Sequence, residues 1–494
     1  MEWTTYPQGN PELWQALVKK ELKIEDLTRF LDRQPLYTQA QAWFDPHFKQ
    51  AALSHTWTGP VDFALIPELL GQGVADFILD PFLLDWSDAV LQRELTHAAP
   101  VLLAHPAARL WVCHPSAELP KGAFRVLTAH EVVARGAGDE HELGYLLNHL
   151  IDWARSDSRE SIAVAITLGR EFFHAIAKKR ALKAITEAAL RELGRVDLMT
   201  RITWLARPCW REFTAFDPAN NILRNATSVA AGLIAGAGVI ESLPYDLLVE
   251  LPRAEAQRAQ RLALTTQLVL QAESQLGEVS DPASGSFALE SLTRALGEKS
   301  WSIMQEREAA PLSERETLHA LQVEGAWSEV VKRYRTRRLV QTGVNDFANP
   351  LEVAQLKPRW LKRDHVRLAR DFEELRLSLA QTKPKVALAV VGDYAQLQAR
   401  LNFARNYFEL LGLEVTDSAQ GLELAAAKAW LTASKAPIHV WVAADDVHPS
   451  LVASGERCYL AGKTKIEQCH NIFVGQDTLA ILEELVLWWK GRGA

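Results

Sequence analysis

Three observations predict a two-part α/β chain. Short apolar runs alternate with helix-length segments from about residue 50 to residue 310, a connection rich in Pro, Asn and charge follows, and at Lys385 the alternation begins again. Strands separated by helices make βαβ units, and such units build parallel sheets. Several of them over ~250 residues suit a closed (β/α)8 TIM-type barrel better than an open sheet. The shorter second round suits a doubly wound domain of flavodoxin-like size. The predicted division is therefore a helical arm over 1–48, the barrel over 49–340, a linker over 341–384 and the flavodoxin-like domain over 385–494.

Each element rests on its own pattern. Residues 10–32 read as a helical arm of mixed charge in which Trp14, Leu17, Leu22 and Leu27 form an apolar stripe. VADFILD (74–80), RLWVCH (109–114), FRVLTAH (124–130), SIAVAIT (161–167) and TRITWLA (200–206) are short, apolar or β-branched, and read as buried strands. Nothing between residues 50 and 60 reads clearly as a first strand. Helical segments are expected at 139–156, 170–194, 219–236, 253–275 and 286–308. Within the linker, a helix is expected near 365–380. KVALAVVGD (385–393) restarts the strands, with a helix at 396–411, a strand from 413, a third strand within 436–446, a fourth at 471–476 and a closing helix at 477–490.

Composition excludes several classes of function. Apolar residues make up 48% and charged residues 23% of the 494, an ordinary globular balance. The formal net charge is -7 and no long Lys/Arg run occurs, so neither nucleic acid nor an anionic membrane surface is an expected partner. No window approaches the ~20 apolar residues of a bilayer span. The start, Met1-Glu2-Trp3-Thr4-Thr5, lacks the pattern of a signal peptide, and a cytoplasmic location is expected. Cys113, Cys209, Cys458 and Cys469 show no C-x-x-C spacing and read as structural thiols.

Two blocks carry a family resemblance. FDPANNILRNATSVAAGLIAGAG (216–238) and DPASGSFALESLTRALGEKSWSIMQE (281–306) contain a D-P-x-x-N and a D-P-x-x-G-S segment, each opening a helix. Locally, Asp217 and Asp281 read as helix caps with Pro near the first turn, and Gly285-Ser286 as a tight entry. Together with PLYT (35–38) and REFFHAIAKKRALKA (170–184), these blocks resemble the methylmalonyl-CoA mutase family, and within it the small, non-catalytic subunit. The resemblance implies a barrel threaded by substrate CoA, with adenosylcobalamin between barrel and C-terminal domain.

The positions that carry this chemistry in the family are altered here. The family's cobalamin mark, D-x-H-x-x-G after the first strand of the last domain, aligns with Tyr394, Gln396 and Ala399, and Val390 stands at a Lys position. A serine-bearing stretch becomes Ala443-Ala444-Asp445, while His448 and His470 read as surface or capping residues. The barrel's Tyr-His pair becomes Ala129-His130, which leaves His130 as a vestigial candidate. Its His and Gln at another strand end become Leu205 and Arg207, where Trp204, Pro208 and Trp210 suggest a filled pocket although an Arg could meet a CoA phosphate. A Tyr- and Arg-bearing segment is missing between Tyr37 and Pro60.

The resemblance therefore implies a chain that is itself inactive, with no catalytic, cofactor or metal residues of its own. It would pair as a heterodimer with a homologous catalytic large subunit that holds the adenosylcobalamin. Two rivals stay open: an acyl-CoA mutase barrel that uses cobalamin from another chain, and a cofactor-loading partner of a mutase. The absence of a G-x-x-x-x-G-K-[ST] motif disfavours nucleotide-driven loading by this chain alone.

Overall fold

The computed structural model describes residues 51–492, apart from 59–60, 115, 157–159, 280, 312–313, 353–365 and 380–381. The predicted arm at 10–32 and the PLYT match lie outside the described residues.

The first sheet has seven strands among those residues: β1 (Leu53–Thr56), β2 (Val74–Leu79), β3 (Arg109–Val112), β4 (Ala123–Thr128), β5 (Ile162–Leu168), β6 (Ile202–Pro208) and β7 (Val239–Ile240). They lie in chain order and every pairing is parallel. A parallel bridge from Ala52 to Val239 brings the two edges together, making a TIM-type barrel. The predicted strands appear where the apolar runs placed them. β5 is buried at every position, because one face meets the lumen and the other the helices. β1 was illegible for physical reasons. It is four residues long, starts on a register shift, and spends Ser54 on bonds to the Ile240 carbonyl and to Gln267 of a helix.

Helices α1 (Ile66–Gly71), α2 (Pro81–Leu84), α3 (Asp88–Ala104), α4 (His130–Ala134), α5 (Asp139–Arg155), α6 (Phe172–Glu192), α7 (Asn220–Ile234), α8 (Arg253–Leu268), α9 (Phe287–Ala309) and α10 (Arg315–Arg335) accompany the barrel. On α5 the buried positions Leu143, Leu146, Leu147, Leu150 and Ile151 recur at three- and four-residue spacing, so a single stripe faces the sheet. The two D-P motifs correct the sequence reading. Asp217 and Asp281 do not cap α7 and α9, whose preceding residues are Ala219 and Ser286. Both aspartates sit instead in tight turns at positive φ (49° and 43°), and Asp281 pairs with Arg180 at 3.0 Å.

Three consecutive cations of α6 are buried, with different outcomes. The Lys178 ammonium reaches Asp139 (2.6 Å), Glu142 (2.7 Å) and the Thr167 carbonyl (2.7 Å). Burial opposes its charge, but the two carboxylates overcome that and raise its pKa. Arg180 is held by Asp281, Glu290 and Thr293. Lys179 is 6% exposed and makes no hydrogen bond or ion pair among the described residues. Desolvation first, then the neighbouring Lys183, push it down to about 7.

The second sheet is also parallel and runs β12-β11-β10-β8-β9, from β8 (Val386–Val391), β9 (Val415–Asp417), β10 (Ile438–Ala443), β11 (Arg457–Ala461) and β12 (Cys469–Ile472). Helices α12 (Tyr394–Glu409), α13 (Leu424–Ser434) and α14 (Thr478–Lys490) cover it, while α11 (Arg370–Ser378) precedes it. The sequence reading missed β11 and α13. It is the flavodoxin-like arrangement expected from the sequence. Tyr334 of α10, Val344, Ala348, Leu368 and Phe372 pack into the core of this sheet.

The segment around α11 laces the two sheets together. Val366 N–H donates to the Ala134 carbonyl (2.9 Å), and Leu368 N–H to the Arg211 carbonyl (3.3 Å). Glu373, 1% exposed, accepts from the Ala215 N–H (2.7 Å) and pairs with Arg367 (2.7 Å). Trp327 of α10 presses so closely on Gly136 that a Cβ there would lie 2.5 Å from the Trp327 Cβ. Gly136 also holds φ at 107°, a conformation that favours glycine.

Candidate functional site

Ligands of parallel α/β sheets bind at the C-terminal ends of the strands.

Inside the barrel, strand alternation points Ile78, Trp111, Val126, Ala163, Ala165, Leu205 and Val239 at one another as a single buried cluster. Trp111 donates to Asp76 (2.7 Å) and its ring centroid lies 5.0 Å from that of Phe124. The lumen at this level is packed with side chains.

Above that layer, at the strand ends, lies a group of buried charges. Asp80 follows β2, His130 opens α4 after β4, Arg207 is the penultimate residue of β6 and Glu241 follows β7. Each is at most 2% exposed. Arg207 binds Glu241 with two bonds (Nε to Oε2 2.7 Å, Nη2 to Oε1 3.0 Å) and Asp80 with a third (2.8 Å). Its remaining nitrogen reaches the His130 Nδ1 at 3.3 Å and the Cys113 sulfur at 3.7 Å. Asp80 Oδ2 lies 2.8 Å from His130 Nδ1, while Oδ1 accepts from the Phe82 N–H at the start of α2 (3.0 Å). The shorter of the two His130 contacts fits an Nδ1–H donated to the carboxylate. His130 Nε2 then faces no hydrogen-bond partner among the described residues.

The electrostatics follow from this geometry. Burial alone would raise the Asp80 pKa, but His130 and Arg207 outweigh it and hold the carboxyl well below the usual range. Desolvation works against the Arg207 charge, yet Glu241 and Asp80 keep it firmly protonated. Burial, then the nearby carboxylates, push the Cys113 thiol far up, so it is no nucleophile here.

Arg207 is enclosed by Asp80 and Glu241 and does not reach a surface where a phosphate could bind. Leu205 belongs to the packed lumen. Trp210 is 1% exposed, stacks in a tilted pair with Phe82 at 6.0 Å and fills space beside the cluster. Sequence reasoning missed Asp80, Glu241 and Cys113 as parts of this site. Their shared signal was position, within one residue after a strand.

At the second sheet's edge, Asp393 caps α12 by accepting from the N–H groups of Ala395 (2.9 Å) and Gln396 (3.3 Å). The helix therefore begins at Tyr394, directly after the turn that follows β8. Tyr394 packs partly into the core, while Gln396 and Ala399 are exposed on the first turns. Val390 is buried within β8. Neither a neutral amide nor a methyl group at these positions can serve as an imidazole ligand to cobalt. These residues do not fit a cobalamin lower-ligand set.

His448 corrects another expectation, since it is wholly buried rather than at the surface. Nδ1 lies 2.9 Å from the Thr464 hydroxyl, and Nε2 lies 3.1 Å from the Ala443 carbonyl and 3.2 Å from Arg400. Arg400 of α12 also bonds the Ala443 carbonyl and pairs with Asp445 at 2.9 Å. A Cβ at Gly462 would lie 2.4 Å from His448 Cε1, so the ring occupies the end of the cleft between β10 and β11. His439 on β10, unremarked in the sequence, bonds Ser454 at 3.1 Å. His470 lies on β12 at the sheet edge. No group of three or more His, Cys, Asp or Glu side chains suited to a metal ion occurs among the described residues. No helix among them is long and apolar enough to cross a membrane.

Comparison with known proteins agrees with this architecture. A family model described as methylmalonyl-CoA mutase matches residues 155–419, more than half of the chain. A methylmalonyl-CoA mutase small subunit of Porphyromonas gingivalis is 28% identical over 380 residues, covering 70% of this chain and 60% of that one. Small subunits of Streptomyces virginiae and Propionibacterium freudenreichii subsp. shermanii are each 30% identical, over 54% and 56% of this chain and 47% of theirs. The matched stretch spans about half to three-fifths of the length of these relatives. The chain belongs to the methylmalonyl-CoA mutase family and is similar there to chains named small subunit.

Proposed function

We propose that this chain is the non-catalytic small subunit of a heterodimeric, adenosylcobalamin-dependent methylmalonyl-CoA mutase. In this reading it supports a homologous catalytic large subunit, which holds the cofactor and isomerises methylmalonyl-CoA to succinyl-CoA in the cytoplasm. The chain itself binds no cobalamin and carries no catalytic residue; His130 is a vestige. Its working division is the barrel at 49–340 and the second domain at 385–494, joined through 341–384.

The observation that carries this reading is the closed ion cluster at the barrel mouth. Arg207, Asp80, Glu241 and His130 bond one another, so none of the charges of this cluster is left free for an acyl-CoA. The replacement of the D-x-H-x-x-G set by Tyr394, Gln396 and Ala399 supports the same reading at the other sheet. The small-subunit names of the relatives support a larger partner.

Co-expression with a longer family member that retains D-x-H-x-x-G tests it, read by size-exclusion chromatography with light scattering. A stable 1:1 complex is expected. With hydroxocobalamin, the isolated chain should show no His-on spectral change. Turnover of methylmalonyl-CoA by the isolated chain, abolished by His130→Ala, would overturn the proposal, as would a self-dimer indifferent to the longer chain.

A further inference from the structure

The second sheet brings together two cysteines that sequence spacing kept apart. Cys458 on β11 and Cys469 on β12 are direct register partners in adjacent parallel strands. Directly paired residues project from the same sheet face, and neighbouring strands run about 4.8 Å apart. That separation lies inside the Cα–Cα range of disulfides, roughly 4.4–6.8 Å. Neither cysteine is in a disulfide, and both face the same small apolar cluster. Cys458 is buried against the core of that face, whereas Cys469, on the edge strand, is partly exposed. The position therefore combines a paired geometry with access from solvent at one sulfur.

We propose that Cys458 and Cys469 form a redox-active dithiol whose oxidant is hydrogen peroxide. A thiolate of the pair attacks the peroxide, its O–O bond breaks, and a sulfenic acid forms with release of hydroxide. The neighbouring thiol attacks the sulfenic sulfur, the S–S bond forms, and the second oxygen leaves as water. The displaced thiol protons convert the hydroxide to water. Two thiols and one peroxide thus become one disulfide and two waters, with both electrons taken from the sulfurs. The two thiols titrate as a coupled pair, in which the neighbouring thiol eases loss of the first proton and opposes loss of the second. The cross-link would tie the edge strand β12, and the entry to α14, to the body of the sheet. The remaining thiols, Cys113 and Cys209, lie in the barrel, where burial raises both of their pKa values, so they serve as internal controls.

Treatment of the full chain with hydrogen peroxide, followed by thiol counting in denaturant and peptide mass mapping, tests this. Loss of two of the four thiols is expected, with a Cys458–Cys469 cross-linked peptide that dithiothreitol removes. In Cys458→Ser the cross-link should vanish and Cys469, the solvent-accessible thiol, should be trapped by dimedone as a sulfenic acid. Oxidation of Cys469 to sulfinic or sulfonic acid with no cross-linked peptide in the unaltered chain would overturn the proposal. Equal oxidation of Cys113 and Cys209 would also overturn it, because the pair would then have no selectivity.

Discussion

The mouths of the two sheets are both occupied by the chain's own side chains, yet they are built differently. In the barrel, Arg207 and its two carboxylates are almost wholly removed from water, with exposures of 1% and 0%. In the second sheet, Arg400 pairs with an Asp445 side chain that is 75% exposed, and only His448 is fully buried. Charges taken out of water interact strongly and are costly when unmatched, whereas a solvated pair contributes little. The barrel plug is thus a device of internal charge balance. The second mouth is a packing device that uses a histidine ring.

Three single substitutions, one of them with a second-site partner, sharpen or break this contrast. Arg207→Met should be the most damaging, costing about 3–5 kcal/mol because it leaves Asp80 and Glu241 buried without their cation. Adding Glu241→Gln should recover part of the loss. Urea unfolding that differs from the unaltered chain by less than about 1 kcal/mol would show that water reaches the cluster.

Lys179→Met is expected to stabilise the chain by about 1–3 kcal/mol near neutral pH, since it removes a buried charge without a partner. The sign follows from its pKa of about 7 in the folded state. Between that value and the ordinary lysine value near 10.4 the unfolded chain binds more protons, so stability rises with pH. The variant should lose that slope, which unfolding curves at about pH 7 and about pH 9.5 would reveal. An unchanged slope would count against an unpaired ammonium at this position.

Arg400→Met should have the smallest effect, at most about 1 kcal/mol, as expected for a partly solvated pair. A loss as large as that of Arg207→Met, read by the same urea titration, would erase the distinction between the two mouths.

Much of the fold was legible because burial leaves a mark on composition. A strand covered on both faces, such as β5, reads as an unbroken apolar run, and α5 and α6 were long enough for their periodicity to register. β1 and β11 escaped because short strands mix polar and apolar residues, and their identity is set by partners far along the chain. The same limit applied to the candidate site. His130 and Arg207 could be singled out by resemblance, and Gln396 by departure from a motif. Asp80 and Glu241 gave no such signal, since they matter only because barrel closure sets β2, β6 and β7 around one guanidinium. The pairing of Cys458 with Cys469 was hidden likewise, being made by strand register rather than by spacing.

The lacing by residues 366–373 also bears on how the molecule comes apart. Glu373 satisfies a backbone N–H in the loop after β6 and the guanidinium of Arg367, whose other arm donates to the Phe213 carbonyl at 3.3 Å. Separating the sheets would leave a buried carboxylate and several main-chain groups without partners at once, a penalty of several kcal/mol. Loss of the second sheet therefore weakens the barrel loops that hold Arg211 and Phe213, and loss of those loops frees α11. A single unfolding transition is therefore expected for the two sheets, even though each closes its own hydrogen-bond ladder.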